Sequence, residues 1–122
     1  MGTAKSRILV VDDEKDYLRL MERILGRAGY EVFSALDALE GLEKLRKHNP
    51  DLVILDIMLP DMSGWDACRE MKKDAGPRVL ILTVPFGNDF QEKIAYSGCD
   101  AYLEKPVTKK KLLDTVEDLL HQ

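Results

Sequence analysis

The sequence contains few cysteines, no long hydrophobic run and no signal-peptide pattern, and each absence excludes a class of protein. Cys68 and Cys99 are the only cysteines among 122 residues, and their separation matches neither a metal-binding motif nor a disulfide framework. No apolar stretch approaches the roughly 18 residues that a membrane span requires, and residues 1–7 lack the apolar centre of a signal peptide. We therefore expect free thiols, no membrane partner and a cytoplasmic location.

Positive charge is also in short supply. Lys and Arg number 18 against 22 Asp and Glu, which gives a formal net charge of −4. Because phosphate binding usually needs a clustered excess of Lys and Arg, we expect no direct contact with nucleic acid. The composition, with 45% hydrophobic and 33% charged residues, is that of a folded globular protein. The length predicts a single domain over residues 1–122, with a disordered N-terminal segment at about 1–6.

Short apolar runs rich in β-branched residues alternate with segments of helical periodicity. The runs begin at residues 8, 30, 52, 79 and 101. A helical stripe with i, i+3, i+4, i+7 spacing covers 17–28, and later helices are predicted to start at Asp37, Ser63, Asp89 and Thr108. Glu40 lies three residues after Asp37, as in a capping box, and the third helix is predicted to reach Gly76-Pro77. Five βα units in series predict a doubly wound α/β fold, a three-layer (βα)5 sandwich around a parallel five-stranded sheet.

Three related architectures fit the sequence less well. A start-to-start spacing of about 22 residues occurs in leucine-rich repeats, but the segments share no repeating Leu and Asn positions. Five strands are too few for a TIM barrel. The first strand leads into Asp12-Asp13-Glu14 rather than a glycine-rich turn, and acidic residues there would repel a dinucleotide pyrophosphate.

Polar side chains follow the predicted strands where each strand ends. Asp12 and Asp13 follow the first strand, Asp56 follows the third, Thr83 ends the fourth and Lys105 comes after the fifth. Each residue alone could be a turn residue, a helix cap or a solvated side chain. Ligands of open α/β sheets bind outside the carboxyl ends of the strands, so the joint placement of these residues predicts a site.

The residue types at this edge indicate phosphoryl chemistry. Two like charges ~4 Å apart repel by roughly 4 kcal/mol at an effective dielectric constant of about 20, so three carboxylates need positive charge. Lys105 can neutralise one of them. The remaining oxygen-rich pocket suits Mg²⁺, which binds few carboxylates together with water and phosphoryl oxygens. A metal beside a carboxylate nucleophile, a hydroxyl and an ammonium is the equipment for in-line phosphoryl transfer onto the carboxylate.

Four motifs, in order, resemble those of the receiver domains of two-component response regulators. They are ILVVDDE at 8–14, DLVILDIMLP at 51–60 with Gly64, ILT at 81–83 and AYLEKP at 101–106. The resemblance covers essentially the whole chain. It implies a flavodoxin-like sheet with the strand order 2-1-3-4-5.

The resemblance also implies a role for each acidic residue. Asp56 would accept a phosphoryl group from a phosphohistidine of a sensor histidine kinase or a histidine phosphotransfer protein. Asp13, Asp56 and the backbone carbonyl of Met58 would bind Mg²⁺ directly, and Asp12 would act through a bound water. The chain would catalyse only its own phosphorylation and dephosphorylation, so we expect no enzyme with a separate substrate.

The remaining implied roles concern switching. Thr83 and Lys105 would bind phosphoryl oxygens, and Pro106 would follow a cis peptide bond. Tyr102 would be the aromatic switch that turns inward as Thr83 moves toward the phosphoryl group. The output would be a changed surface on helix 4, strand 5 and helix 5 for an unidentified protein target, and phosphorylation-dependent homodimerisation stays open.

Val84 and Pro85 depart from the family pattern, in which Ala or Gly usually follows the switch threonine. We hypothesise that the bulkier, stiffer segment alters the rates of phosphorylation or dephosphorylation. The departure also supports an alternative, a receiver-like interaction module that acts without phosphorylation. A third hypothesis, a phosphohydrolase with an aspartyl intermediate, lacks a second Asp two residues after Asp56, where Met58 stands.

Overall fold

The computed structural model describes residues 5–122, in which five strands alternate with five helices. Residues 1–4 of the segment predicted to be disordered lie outside the described residues. In chain order the elements are β1 (Arg7–Val11), α1 (Lys15–Arg27), β2 (Glu31–Ala35), α2 (Ala38–His48), β3 (Leu52–Leu55), α3 (Gly64–Met71), β4 (Arg78–Thr83), α4 (Phe90–Ser97), β5 (Ala101–Glu104) and α5 (Lys109–Leu120).

The strands form one parallel sheet in the order β2-β1-β3-β4-β5, which confirms the predicted fold. Val11, the last residue of β1, is paired with Ala35 on one side and Leu55 on the other. Thr83, the last residue of β4, is paired with Glu104. The residues that follow the strands therefore share one edge. The chain runs outward from β1 to β2 and then returns to β3, so the strand order reverses between β1 and β3, where such folds bind ligands.

Hydrophobic cores lie on both faces of the sheet, because successive strand residues point to opposite faces. Leu9 and Val11 of β1 pack toward α2 and α3, whereas Ile8 and Val10 pack toward α1 and α5. Phe90 of α4 packs against the first of these cores. Burial on both faces explains why the strands are continuous apolar runs, and it produces the predicted three-layer sandwich.

Three helices begin at the residues that the sequence predicted as caps. Ser63, Thr108 and Asp37 each accept a hydrogen bond from a backbone N–H in the first turn of the helix that follows. Such caps stabilise a helix by about 1 kcal/mol each. The capping box differs in one detail, because the Glu40 carboxylate accepts from the N–H of Leu36 at 2.7 Å, one residue before the cap.

Helix α3 ends earlier than predicted. Its last residue is Met71, not a residue next to Gly76-Pro77. Asp74 and Ala75 have positive φ angles of 54° and 57°, a left-handed conformation that no α-helix continues through. The chain turns back to the sheet there, and the apolar periodicity alone gave no sign of that turn.

The two cysteines lie inside the fold or at its margin. Cys68 is buried and Cys99 is partly buried, and both are free thiols, as predicted. Burial raises the pKa of Cys68 to about 12, so this thiol stays protonated and unreactive. Between residues 5 and 122, no helix has the length and apolar character needed to cross a bilayer.

Candidate functional site

Two carboxylates lie side by side where the strand order reverses. Asp12 follows β1 and Asp56 follows β3, and each continues the sheet by one more backbone hydrogen bond, to the carbonyls of Ala35 (3.1 Å) and Val11 (3.0 Å). Asp12 is 3% exposed and Asp56 is 8% exposed. Carboxylates are almost never buried to this extent without partners, so their partners decide the chemistry of the site.

Lys105 is the partner that both carboxylates share. Its Nζ donates to Asp12 Oδ2 at 2.8 Å and to Asp56 Oδ2 at 3.0 Å. The backbone N–H of Lys105 donates to the carbonyl of Thr83 at 2.8 Å, which extends the β4–β5 ladder and fixes where the side chain starts. The Lys105–Pro106 peptide bond is cis, as the resemblance implied. The structure thus brings together residues that lie 93 and 49 positions apart in the chain.

The second oxygen of Asp56 is also held. Thr83 Oγ1 donates to Asp56 Oδ1 at 2.8 Å, and the backbone N–H of Met58 donates to the same oxygen at 3.1 Å. Asp56 therefore receives a hydroxyl, an amide and an ammonium, which are the groups that would stabilise added negative charge at this position. The predicted residues Asp56, Thr83 and Lys105 are in direct contact.

The electrostatics of the site are dominated by burial and by the shared ammonium. Burial raises the pKa of Asp12, and the hydrogen bonds from Lys105 and from the N–H of Glu14 only partly oppose this. Burial alone would lower the pKa of Lys105, but the hydrogen bonds and charges of Asp12 and Asp56 outweigh it and raise that pKa. One ammonium facing two carboxylates leaves the buried group one negative charge in excess.

Asp13 lies outside the buried hydrogen-bonded group. Its side chain is exposed, and among residues 5–122 no three His, Cys, Asp or Glu side chains are arranged to hold a metal ion. Asp12 is buried and bonded to Lys105, whereas the next residue, Asp13, is exposed to solvent. Lys105, rather than a third carboxylate, lies between Asp12 and Asp56. The donor chemistry still fits Mg²⁺, because Asp12, Asp13 and Asp56 provide hard oxygens at one edge of the sheet.

Two residues for which the sequence motifs predicted no role, Gly64 and Asp61, fix the loop after β3. The N–H of Gly64 donates to the carbonyl of Ile57 at 3.0 Å, and a side chain at Gly64 would collide with the backbone of Asp56 and Ile57. Only glycine therefore permits this close return of the loop. Asp61, in the same loop, accepts from the N–H groups of Ala38 (2.9 Å) and Leu39 (2.8 Å) at the start of α2.

Asp61 was missed by sequence reasoning. Its slight burial would raise its pKa, but the backbone N–H groups outweigh this and lower the pKa, so the side chain is a firmly ionised cap. Asp61 lies 22 and 23 positions after the two residues that it caps, so the sequence carried no local signal of this contact.

Tyr102 lies in an aromatic row. It is half-buried, and its ring meets Phe90 edge-on at 5.4 Å between centroids. Phe90 in turn meets Trp65 at 5.4 Å with an interplanar angle of 75°. The predicted switch residue is therefore connected to the first residue of α4 and the beginning of α3, and Phe90 and Trp65 were not predicted to take part.

Large exposed apolar side chains lie in the loops that follow β3 and β4. Met58, Val84 and Phe86 are each 58% exposed although all are large hydrophobic residues. Val84 therefore places its extra volume at the rim of the site, not in the core. Exposed apolar surface next to a polar site is typical of protein contact surfaces.

The fold and this edge site define the class: a doubly wound α/β domain with a buried aspartate held by threonine and lysine at the switch point. Residues 8–117 match the family model described as the response regulator receiver domain. This chain belongs to the response regulator receiver domain family of two-component systems. Members of this family generally bind Mg²⁺ and interact with histidine kinases and downstream targets.

Individual relatives agree with the family assignment. The chain is 36% identical over 124 residues to the "Probable transcriptional regulator ycf27" of Cyanophora paradoxa, covering all of this chain and 51% of that protein. It is 30% identical to the "Polar-differentiation response regulator DivK" of Brucella ovis, covering 93% of this chain and 94% of that protein. The chain thus spans about half the length of the ycf27 relatives it matches and nearly all of DivK.

Solved structures support the same fold. A CheY-like response regulator receiver domain protein from Methanospirillum hungatei superposes with a TM-score of 0.91 at 34% identity, covering 97% of this chain and 95% of that chain. The chemotaxis protein CheY4 of Vibrio cholerae superposes with a TM-score of 0.88 at 28% identity, covering 95% and 99%.

Proposed function

We propose that this chain is a phosphorylation switch in which Asp56 accepts a phosphoryl group from a phosphohistidine. The observation that carries the proposal is the set of donors on Asp56: Thr83 and Met58 at one oxygen and Lys105 at the other. Here the donors already lie where the charge of a phosphoryl group would be added.

The transfer forms one bond and breaks one bond. A carboxylate oxygen of Asp56 attacks phosphorus, the P–N bond to the donor imidazole breaks in line, and the imidazole leaves with its electron pair. The ammonium of Lys105 then follows the negative charge from the carboxylate to a phosphoryl oxygen. Thr83 Oγ1 does the same from Asp56 Oδ1.

Mg²⁺ would be held by Asp13, Asp56 and the backbone carbonyl of Met58, with Asp12 acting through a water. When bound, it neutralises charge on the phosphoryl oxygens. The supporting observation is the charge imbalance at the edge, because one ammonium faces Asp12 and Asp56 while Asp13, the next residue after Asp12, adds a further carboxylate to the same loop.

The switch acts through Thr83 and Tyr102. When Thr83 turns toward the phosphoryl group, space beside it opens and Tyr102 turns inward, which changes the surface formed by α4, β5 and α5. A downstream protein target binds the changed surface. Alternatively, phosphorylation makes two copies of the chain bind each other through it. This is a population shift driven by one local charge event.

The proposed partners are a sensor histidine kinase or a histidine phosphotransfer protein, and the proposed location is the cytoplasm. The chain acts on no separate small substrate and catalyses only changes to its own Asp56. The alternative is a receiver-like interaction module that works without phosphorylation. The exposed Val84 beside the site favours that alternative.

Mass spectrometry after incubation with acetyl phosphate and Mg²⁺ separates the two. The native chain is expected to gain one phosphate, and Asp56→Asn is expected to gain none. Asp61→Asn is the matched control, because Asp61 is a carboxylate of the same loop but lies on the start of α2, and it should still gain a phosphate. A native chain that gains nothing from acetyl phosphate or from a phosphohistidine donor would leave the interaction module as the better description.

Val84 gives a prediction about rates. Val84→Ala removes apolar volume at the rim and opens the acceptor to water, so the acyl-phosphate should hydrolyse faster than in the native chain. The measurement is the decay of phosphorylated protein after acetyl phosphate is removed. Equal lifetimes for the native chain and the variant would dispose of this role for Val84.

A further inference from the structure

Lys105 is held from two sides, and the family motif accounts for only one of them. Asp12 and Asp56 bind the ammonium on one side. On the other, the aromatic ring of Tyr17 in α1 lies with its centroid 4.3 Å from Nζ. The Lys105 side chain is only 17% exposed. A ring face at this distance attracts an ammonium through its quadrupole, most strongly where water is excluded.

The surroundings of Tyr17 are largely apolar. Tyr17 is half-buried and stands in a groove between α1 and the segment that follows β5. The other side chains of this groove are mainly apolar and include Met21, Val84 and Val107. The uncharged ring face therefore covers a side of the Lys105 ammonium that water would otherwise solvate.

We propose that Tyr17 is a positioning residue for Lys105: its ring face presses the ammonium against the two buried carboxylates and limits its contact with water. A less hydrated ammonium interacts more strongly with nearby negative charge. The ring also gives the ammonium a fixed support as it turns from Asp56 toward a phosphoryl oxygen. Only this last consequence rests on the proposed function, because the resting contact exists without phosphorylation.

The direct test is the rate at which the Lys105 ammonium protons exchange with water, measured by ¹⁵N NMR of the unphosphorylated protein. The native chain should give a slowly exchanging Nζ signal that Lys105→Arg removes. Tyr17→Phe keeps the ring face and should keep the native rate within about twofold. Tyr17→Leu keeps apolar volume but lacks a π face, and exchange should rise roughly fivefold to thirtyfold, the factor that corresponds to a desolvated cation–π contact.

Two variants control for indirect effects. Leu20→Ala alters the same groove without removing the ring, and the exchange rate should stay native. If Tyr17→Leu does not fold by circular dichroism, Tyr17→Met takes its place. A native chain without a protected Lys105 signal would overturn the proposal, and so would equal exchange in the Leu and Phe variants.

The second readout is the rate of Mg²⁺-dependent phosphorylation by acetyl phosphate. Tyr17→Leu should slow the reaction about threefold to tenfold, with Tyr17→Phe close to native. If the native chain accepts no phosphate, the proposed function fails while the exchange rates still decide the role of Tyr17. If phosphorylation proceeds and the Leu variant matches the native rate, Tyr17 does not position the ammonium during phosphoryl transfer, and that part of the proposal is refuted.

Discussion

At the amino-terminal edge of the sheet one partly buried carboxylate has two cations, whereas at the carboxyl-terminal edge two buried carboxylates share one. Asp100, just before β5, bonds to Lys72 Nζ at 2.8 Å and to the N–H of Val79 at 2.7 Å, with Arg78 at 3.5 Å. Burial would raise the pKa of Asp100, but the bonds from Lys72 and Val79 outweigh it and lower that pKa.

The difference separates a stabilising arrangement from a functional one. Asp100 is more than neutralised, so its charge favours the folded state. Asp12 and Asp56 are under-neutralised, and burial raises the pKa of Asp12. A site that is short of positive charge has a reason to bind a cation or to change when charge arrives, and perturbed carboxylates often mark such sites.

The largest expected effect is loss of the one cation at the carboxyl-terminal edge. Lys105→Met leaves Asp12 and Asp56 buried and facing each other, which should lower the free energy of unfolding by about 3–5 kcal/mol. Urea denaturation followed by circular dichroism measures it. The double variant Asp12→Asn/Lys105→Met should recover more than half of the loss. A loss below about 1 kcal/mol would mean that water already solvates these carboxylates.

The next effect belongs to the opposite edge. Asp100→Asn weakens charge-assisted hydrogen bonds and should destabilise the fold by about 2 kcal/mol at neutral pH. Because its pKa is lowered in the folded state, the contribution of Asp100 is present above the ordinary value of 3.8 and disappears as the pH falls through the lowered value. The urea curves of the two chains should therefore stay apart down to pH 3.8 and converge only as the pH falls through the lowered pKa of Asp100.

Mg²⁺ should distinguish the two edges, because only the carboxyl-terminal edge is proposed to bind it. At a concentration about ten times its dissociation constant, Mg²⁺ should stabilise the native chain by about 1.4 kcal/mol, seen as a higher melting temperature. Asp100→Asn should retain the increase and Asp13→Asn should lose most of it. An unchanged melt of the native chain in millimolar Mg²⁺ would count against the metal site.

The smallest effect has the opposite sign to that of Asp100. Asp12→Asn removes a poorly compensated buried charge and should stabilise the fold by about 1 kcal/mol at neutral pH in the absence of Mg²⁺. Because the pKa of Asp12 is raised in the folded state, its favourable contribution exists at low pH and is lost as the pH rises through the raised value. The advantage of the variant should thus vanish below about pH 4, and destabilisation at pH 7 would refute this account of the site.

The order and type of the elements were predictable because this fold depends on local patterns. The strands from Leu52 to Leu55 and from Arg78 to Thr83 are buried on both faces, and such strands are continuous apolar runs in any sequence. Caps such as Thr108 act within three residues of the helix they begin. The end of α3 was not predictable in this way, because the left-handed residues Asp74 and Ala75 carry no local signature.

The candidate site was predictable as a set of residues and not as a geometry. Parallel strands place Asp12, Asp56 and Thr83 at one edge by topology alone. That Lys105 lies between two carboxylates while Asp13 stays exposed depends on side-chain packing and on a contact spanning 93 residues. The contact between the Tyr17 ring and Lys105 was not predictable either, because the helical spacing of Tyr17 indicated only an apolar stripe.

The aromatic row from Trp65 through Phe90 to Tyr102 has a practical consequence. Trp65 is the only tryptophan of the chain and is 6% exposed, so all indole emission comes from one dry position. An edge-on neighbour influences that emission, and Phe90 is the neighbour that also contacts Tyr102. Trp65 is therefore an intrinsic probe of the Tyr102 ring in β5. Its fluorescence can follow a movement of Tyr102 in real time without a dye or a label.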